Sequence, residues 1–239
     1  MRRIRITVAY DGTRYHGWQV QPELETIQGV LERVVGEIEG SAVNVHGSGR
    51  TDAGVHALAQ VAAFDLTNPI PIDNLRRAMN RLLPRDIRVL GCEEAPADFH
   101  PRFQAKAKTY EYRIWREEIC PPFERLYVCH HPYPLDEAKM TAAAMCFVGE
   151  HDFTAYAAAD EKDECGRSKV RTIFFSSLER RGALLMYRVC GSGFLKHMVR
   201  LMVGALVEVG KGNLDAPSFE QKAGRAMPAS GLFLVSVEY

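Results

Sequence analysis

Length, composition and charge describe an ordinary globular protein and give no global sign of a nucleic-acid or membrane partner. The chain has 239 residues, of which 46% are hydrophobic and 25% are charged, and these values fit one large domain or two smaller ones. Basic and acidic residues number 30 each, so the formal net charge is zero. Any polyanionic partner must therefore be held by a local basic patch.

The cysteines and the apolar runs indicate the cellular compartment of the protein. The six cysteines form no C-x-x-C pair and show no zinc-ligand spacing with histidine, so we expect reduced, mostly buried thiols in a cytoplasmic protein. No apolar run is long enough to predict a membrane span. Residues Met1–Gly12 alternate like a strand and lack the apolar core of a secretion signal.

Hydrophobic periodicity divides the first half of the chain into strands and helices. Thr26 is a good helix N-cap, and the apolar residues after it recur on one helical face. Pro84 ends a second helix, because proline removes a backbone donor and clashes with the preceding turn. The predicted elements are strand Arg5–Tyr10, a helix from Ile27 to Ile38, strands Val43–Val45 and Leu58–Leu66, a helix from Ile72 to Leu83, and strand Ile87–Cys92.

The second half repeats that order of elements. The apolar spacing of its last helix nearly matches the spacing of the helix at Ile27, although the two halves show no residue-level identity. The predicted elements are strand Tyr110–Trp115, helix Leu135–Phe147, strands Val170–Leu178 and Ala183–Cys190, helix Leu195–Val209, and strand Leu232–Tyr239.

Two copies of a split βαβ unit are the economical interpretation of this repeat. We therefore predict an α+β protein of two tandem ferredoxin-like (βαββαβ) units, with antiparallel sheets joined around a central cleft. The predicted domains are residues 1–103 and 104–239. Two connections, Thr13–Leu24 and Ala157–Lys169, are longer than a compact fold needs, and loops of that kind often grip a ligand.

The stretch GSGRTDAGVHA, Gly47–Ala57, is the best candidate for a functional loop. It is rich in glycine and lies between two apolar runs, and glycine lets the backbone turn tightly or approach a ligand. Asp52 is the candidate reactive group, with Arg50 in the same loop. The alternative is an aspartate that only caps the loop through an Asx-turn, and the loop alone does not decide between the two.

Other chemistries fit this stretch less well. Gly49–Gly54 has the glycine spacing of a phosphate-binding loop, but Val55 and His56 stand where that motif needs lysine and a hydroxyl residue. A metal site would use Asp52, His46 and His56, yet three groups of one short loop seldom converge on a point. A metal-dependent phosphoesterase would be built on Asp52 and His56. Nothing in the sequence supports a Ser-His-Asp triad.

Two segments of the second half carry aromatic and cationic residues. We expect one of Tyr110 and Tyr112, in KAKTYEYRI, to face the open side of the sheet, where nearby lysines and arginines could stack a base and hold phosphates. Lys196, His197 and Arg200 are predicted on the polar side of a helix N-terminus, a position that favours an anion. A half-buried strand tyrosine and solvated surface charges remain the alternatives.

Six motifs in order give a resemblance that runs from the first strand to the last residue. The chain resembles the TruA family of tRNA pseudouridine synthases, whose fold is also a duplicated α/β unit with a central cleft. Two departures concern His100-Pro101, where family members more often have His-Ala, and the acidic loop Asp160–Ser168. The motifs are GRTDAGVHA, FHPRF with TYEYRI, GEHDF, KVRTI, FLKHMVRLMVGALVEVG and GLFLVSVEY.

The resemblance implies a homodimer, free of cofactor and metal, that isomerises uridine to pseudouridine at positions 38, 39 and 40 of the tRNA anticodon arm. By matching position, Asp52 is the catalytic aspartate and Arg50 helps to take the base out of the stack. Tyr110 stacks on the base and assists proton removal, while Arg200 pairs with Asp52. Leu232 completes the apolar wall, and Lys196 and His197 are expected to bind the substrate.

The residue types suit this reaction. The aspartate must be ionised, and a nearby guanidinium lowers the pKa of a carboxylate. The target base must be flipped out of its stack, at a cost that contacts with phosphates offset. A non-catalytic RNA-binding protein with ferredoxin-like sheets is the alternative, although no RNP1-type motif is present.

Overall fold

The computed structural model describes residues 1–158 and 168–239, which form four α-helices and ten strands. Most strand pairings are antiparallel, so the protein is α+β as predicted. The elements are β1 (Arg2–Tyr10), α1 (Ile27–Glu39), β2 (His46–Gly47), β3 (His56–Leu66), α2 (Ile72–Leu82), β4 (Ile87–Ala95), β5 (Ala107–Trp115), β6 (Cys129–His130), α3 (Glu137–Ala144), β7 (Gly149–Asp152), β8 (Val170–Arg181), β9 (Leu184–Gly191), α4 (Met198–Gly210) and β10 (Leu232–Glu238).

The chain divides into two compact units. Unit 1 comprises Met1–Lys106 and Phe233–Tyr239, and unit 2 comprises Ala107–Leu232. Almost all of β10 therefore clusters with the first part of the chain. In unit 1, β10 pairs in parallel with β3, where Phe233 lies opposite His56 and Leu234 lies opposite Ala57.

Strand β1 is the centre of unit 1. It pairs antiparallel with β3 on one side and β4 on the other, and β2 pairs antiparallel with β3, which gives the order β4-β1-β3-β2. The side chains of β1 alternate between buried and half-buried, because successive residues of a strand point to opposite faces. The buried members are Ile4, Ile6, Val8 and Tyr10.

Helix α1 begins and ends as its sequence predicts. The Thr26 hydroxyl accepts a hydrogen bond from the Gly29 amide at 3.3 Å, and this contact satisfies one of the free donors of the first turn. Gly40 ends the helix with φ 80°, and its amide donates to the Gly36 carbonyl. The predicted apolar face is buried along five positions: Ile27, Val30, Leu31, Val34 and Val35.

The strand predicted at Val43–Val45 is wrong. The segment has no regular structure, and the short strand β2 begins only at His46. The Val45 amide donates to the Glu32 carboxylate of α1 at 3.0 Å. Because a helix side chain takes the donor that a strand partner would take, the segment packs against α1 and does not extend the sheet.

Unit 2 contains a sheet in the order β5-β9-β8-β7, all antiparallel, and β6 pairs in parallel with β5. The parallel pairs β5–β6 and β3–β10 depart from the expectation of purely antiparallel sheets. Helix α3 is shorter than predicted because Asp136 caps it, accepting from the Lys139 amide, and residues Met145–Phe147 continue as a 3₁₀ turn.

Helix α4 starts three residues later than the apolar pattern predicts. His197 precedes it in the left-handed conformation, with φ 62°, so Leu195–His197 form a turn outside the helix. All but two of the 13 residues of α4 are buried. The helix is therefore enclosed on nearly all sides and has no continuous polar face.

The described residues bear on two expectations, the absence of a membrane span and the burial of the cysteines. Residues 1–158 and 168–239 include no helix with the length and apolar character of a membrane span. The five cysteines in these ranges are free thiols, but Cys129 is the one that is buried and Cys146 is exposed. The expectation of mostly buried thiols is wrong for them. Cys165 and most of the predicted long loop after Ala157 lie outside the described residues.

Candidate active site

The loop between β2 and β3 carries Asp52, and its first arm is fixed by buried polar contacts. The Ser48 amide donates to the Val61 carbonyl at 2.8 Å, and the Ser48 hydroxyl donates to the Gln60 side chain. The Gln60 amide group in turn donates to the Gly49 carbonyl at 3.0 Å. Ser48 and Gln60 are completely buried, so this arm of the loop is held by a side chain of the strand that follows it.

A second set of contacts fixes the loop beside the candidate aspartate. The Tyr10 and Thr51 hydroxyls lie 2.8 Å apart, and the Trp18 amide donates to the Thr51 carbonyl at 3.0 Å. Burial raises the pKa of Tyr10, which keeps its phenol protonated and able to share this hydrogen bond. Thr51 is thus anchored through both its side chain and its backbone.

Two glycines allow these contacts because a side chain would not fit. Gly17 has φ 85°, and a Cβ there would lie 2.5 Å from the Thr51 carbonyl oxygen. A Cβ on Gly47 would lie 2.5 Å from the indole ring of Trp18. The Thr13–Leu24 connection, predicted to grip a ligand, packs its tryptophan against the glycine-rich loop.

The backbone of this loop is enclosed, while the side chains of its two candidate site residues are less buried. Asp52 is half-buried and Arg50 is exposed. Thr51, which lies between them, and Ser48, which precedes them, are buried. The Val55 amide donates to the Asp52 carbonyl at 3.1 Å, and Gly54 turns the chain with φ 77°. The loop therefore presents a carboxylate and a guanidinium from a rigid base.

The histidines of the same stretch have different surroundings. His56 is buried, its Nδ1 accepts from the Gly12 amide at 3.1 Å, and its ring stacks on Phe233 at 4.7 Å. These contacts give His56 a structural role. His46 is exposed. Within residues 1–158 and 168–239, no three His, Cys, Asp or Glu residues are grouped to hold a metal ion.

The tyrosines of β5 lie in unit 2. Tyr110 packs edge-on against Phe194, with ring centroids 5.0 Å apart, and the Tyr112 hydroxyl donates to the Pro228 carbonyl at 2.7 Å. Both rings are buried, with 7% of Tyr110 and none of Tyr112 exposed. Neither ring is therefore exposed as the sequence led us to expect, and Phe194 covers part of Tyr110.

The cationic residues near α4 do not share one helical turn. Lys196 is exposed and His197 is half-buried, and both precede the helix, whereas Arg200 is its third residue. The Arg200 Nε donates to the Met227 carbonyl at 2.6 Å, and the Arg200 carbonyl accepts from the Met227 amide at 3.1 Å. This reciprocal pair fixes the backbone and the guanidinium group of Arg200 within unit 2.

Leu232 is buried in unit 2, directly after a 3₁₀ turn that ends at Gly231. A Cβ on Gly231 would lie 2.8 Å from both the Arg113 carbonyl oxygen and the Tyr112 ring. The close approach of the backbone at Gly231 therefore determines where Leu232 lies.

Unit 1 also contains a groove that the sequence did not reveal, with a volume of about 330 Å³. It borders the glycine-rich loop at Gly47, Gly49 and Arg50. Its far side is formed by the turn at His100, Arg102 and Phe103. The available signal was an arginine and an aromatic residue in a predicted connection, the FHPRF segment. The other residues that line this Phe103 groove are Trp18, Gln19, Gln28, Asn44, Val45 and His46.

Comparison with known proteins gives the family of the chain. The sequence profile of a family described as tRNA pseudouridine synthase matches residues 6–104 and 143–239. The chain belongs to the tRNA pseudouridine synthase family. The matched ranges of this tRNA pseudouridine synthase profile contain Asp52, Arg200 and Leu232, whereas Tyr110 falls between them.

Full-length relatives extend the similarity across the whole chain. A protein of Solibacter usitatus named tRNA pseudouridine synthase A is 65% identical over 240 residues, which cover all of both chains. Relatives of the same name from Anoxybacillus flavithermus and Lacticaseibacillus casei are 43% and 42% identical, over all of this chain and at least 99% of their own. These alignments include the segment around Tyr110.

Proposed function

We propose that this chain isomerises uridine to pseudouridine in tRNA, with its targets at positions 38, 39 and 40 of the anticodon stem-loop. Membership of the tRNA pseudouridine synthase family supports the reaction. The observation that carries the proposal is the buried, doubly anchored loop that presents a half-buried Asp52 beside an exposed Arg50. A rigid scaffold with a reactive side chain at its edge is what a catalytic loop requires.

The reaction conserves all atoms and electrons of the nucleotide. The bond between N1 and the ribose breaks, the uracil rotates, C5 bonds to the ribose, and the C5 proton is lost while N1 gains one. No redox change occurs, so no cofactor is required. Asp52 either adds to the base or assists its departure from the sugar, and both routes need an ionised carboxylate.

The remaining roles follow the family by matching position and are part of the proposal. Asp52, Tyr110 and Arg200 perform the chemistry: the tyrosine stacks on the uracil and assists proton removal, and Arg200 pairs with the carboxylate. The reciprocal Arg200–Met227 hydrogen bonds support this role, because they restrict the arginine before substrate arrives. The substrate-binding residues are Arg50, Tyr110, Lys196, His197 and Leu232.

The proposal also covers the architecture, the cellular location and the oligomeric state. Residues 1–103 and 104–239 form tandem ferredoxin-like units around a central RNA-binding cleft, and the enzyme acts as a cytoplasmic homodimer. The order β4-β1-β3-β2 supports the interpretation for the first repeat, since it is the order expected of a βαββαβ unit. Within unit 2, the order β5-β9-β8 is the corresponding part of that arrangement.

Tritium release tests the reaction and the aspartate together. The wild-type protein is expected to release tritium from tRNA labelled at uridine C5. We expect Asp52→Asn to lower that rate by about 10²- to 10⁴-fold, with RNA affinity changed far less. Asp215→Asn is the matched control, since Asp215 is an exposed aspartate of unit 2 outside every predicted site residue.

Each other outcome has a definite meaning. Normal release by Asp52→Asn would remove Asp52 from the chemistry. Tight tRNA binding by the wild-type protein without any tritium release would favour the non-catalytic RNA-binding alternative.

A further inference from the structure

The turn after β4 exposes an aromatic ring at the end of a short row of tilted rings. Phe103 is 78% exposed. The centroid of its ring lies 4.2 Å from the centroid of the His100 ring. The His100 centroid lies 5.7 Å from the centroid of the His46 ring. The guanidinium of Arg102 lies 6.0 Å from the Phe103 centroid. The row of rings therefore ends in solvent at Phe103, where a further flat ring could pack.

The turn that carries this exposed ring is held by hydrogen bonds to the His100 ring and to Pro101. The His100 Nδ1 accepts from the amides of Arg102 and Phe103 at 3.1 and 3.4 Å. Desolvation, with the nearby His46 ring, lowers the pKa of His100, which favours the neutral form that this acceptor role requires. The Tyr239 hydroxyl also donates to the Pro101 carbonyl at 2.8 Å. The turn is thus fixed by hydrogen bonds before any ligand arrives.

The Phe103 groove beside these rings has the size and charge of a nucleotide site. Its volume of about 330 Å³ is at the lower end of the range for small-ligand sites, about 300–1,000 Å³. Arg50 and Arg102 are exposed at its edges. None of the described residues that line it is acidic. The wall formed by Gly49 and Arg50 belongs to the same loop as Asp52.

We infer that the Phe103 groove binds one unpaired nucleotide of the RNA substrate, adjacent to the target uridine. Its base stacks on Phe103, and its phosphate lies against Arg50 and Arg102. The inference rests on the proposed function, because an RNA must enter this loop for the groove to meet it. Stacking accepts every base, so the subsite adds affinity and register without selecting a sequence.

The charges favour RNA over a second copy of this chain as the occupant. The chain has zero net charge, so a second copy brings no general attraction to two exposed arginines. A nucleotide brings a phosphate for the arginines and a π-face for the aromatic ring. Base stacking on aromatic side chains is also a common way in which proteins bind unpaired nucleotides.

Removal of the aromatic ring tests the subsite. For Phe103→Ala we expect the Kd for an anticodon stem-loop RNA to rise about tenfold, with kcat changed much less. Phe103→Trp should retain tight binding because it keeps a stacking surface. Phe123→Ala is the matched control: Phe123 is 89% exposed in unit 2 and does not line the groove.

A fluorescent base gives a direct measurement. In stem-loop RNAs with 2-aminopurine on either side of the target, one position should be quenched by the wild-type protein and by Phe123→Ala, but not by Phe103→Ala. Arg102→Ala should lower the slope of log Kd against log salt concentration by about one unit, since one phosphate contact is lost.

The outcomes separate this inference from the proposed function. If Phe103→Ala binds and quenches like the wild type while the wild type releases tritium, the subsite is disproved and the function stands. If Phe103→Ala instead changes the sedimentation of the free protein and leaves RNA affinity intact, a second copy covers the ring and the inference is overturned. If the wild type shows the Phe103-dependent quenching but never releases tritium, the function fails and the subsite stands.

Discussion

Two Gly-Ser-Gly tripeptides, one in each unit, leave a strand and lead to candidate site residues. Gly47 is the last residue of β2, and Gly191 is the last residue of β9. In both places the first glycine allows a close approach. A Cβ on Gly47 would meet Trp18 at 2.5 Å, and a Cβ on Gly191 would meet Ile173 at 2.7 Å. The first position of the tripeptide therefore has the same physical role twice.

The serines of the two tripeptides differ in burial and in hydrogen bonding. Ser48 is completely buried against Gln60, and the chain after it forms a loop that leads into a strand. Ser192 is exposed, and its hydroxyl accepts from the Thr172 amide at 3.2 Å. The chain after it passes through left-handed His197 into helix α4. A shared tripeptide thus determines the close approach, whereas the polar partner of its serine determines how firmly the next residues are held.

The largest expected loss of stability comes from replacing Gly17, which packs closely against Thr51 in the loop that follows the first tripeptide. We expect Gly17→Ala to lower the free energy of unfolding by about 3 kcal/mol. The left-handed φ costs about 1–2 kcal/mol, and the overlap with the Thr51 carbonyl adds about 1–3 kcal/mol. Urea unfolding measures the difference. Gly40→Ala is the matched control, because Gly40 has φ 80° with open space around it and should lose only the conformational part.

A smaller loss is expected where the first tripeptide meets Trp18. Gly47→Ala should cost about 2 kcal/mol, since the indole is only 2% exposed and has little room to move. The third glycine of the other tripeptide is the comparison. A Cβ on Gly193 would lie no closer than 3.7 Å to Arg171, so Gly193→Ala should change stability by less than about 0.5 kcal/mol. Equal thermal unfolding midpoints for the two variants would contradict this account.

The smallest effect distinguishes the serines. Ser48→Ala removes the donor to a completely buried Gln60 oxygen and should cost about 1 kcal/mol. Ser192→Ala should change stability by less than about 0.5 kcal/mol, because water can replace an exposed hydroxyl. Chemical denaturation of both variants compares them directly. A larger loss for Ser192→Ala would reverse the proposed difference between the two segments.

The sequence predicted those elements whose signal is local. Thr26 and the apolar face after it gave helix α1, and the alternation of β1 gave that strand. The start of α4 was missed because His197 adopts a left-handed φ, which apolar spacing does not reveal. The strand at Val43–Val45 failed because the Val45 amide bonds to Glu32, a helix residue 13 positions earlier. Strands β6 and β7 are too short to show a period.

For the candidate site as well, the sequence predicted only features with a local signal. The composition of Gly47–Ala57 pointed to a functional loop with Asp52 as its candidate reactive group, and the resemblance added the role of catalytic aspartate. Nothing local indicated that Gln60 and Tyr10 would hold the loop, because those contacts join residues distant in sequence. The Phe103 groove was missed for a related reason. It forms only when the FHPRF turn packs near β2, and an exposed phenylalanine has no periodicity.

The position of β10 has a consequence for how the protein is made. Unit 1 includes Phe233–Tyr239, and Phe233 stacks on His56 in β3, the strand that follows the Gly47–Ala57 loop. A ribosome must therefore synthesise all of Ala107–Leu232 before unit 1 can receive its last strand. At about 5–20 residues per second, residues 1–106 wait roughly 10 s before β10 can pair with the start of β3. During synthesis unit 2 has all its residues first, and unit 1, although it begins the chain, is completed last.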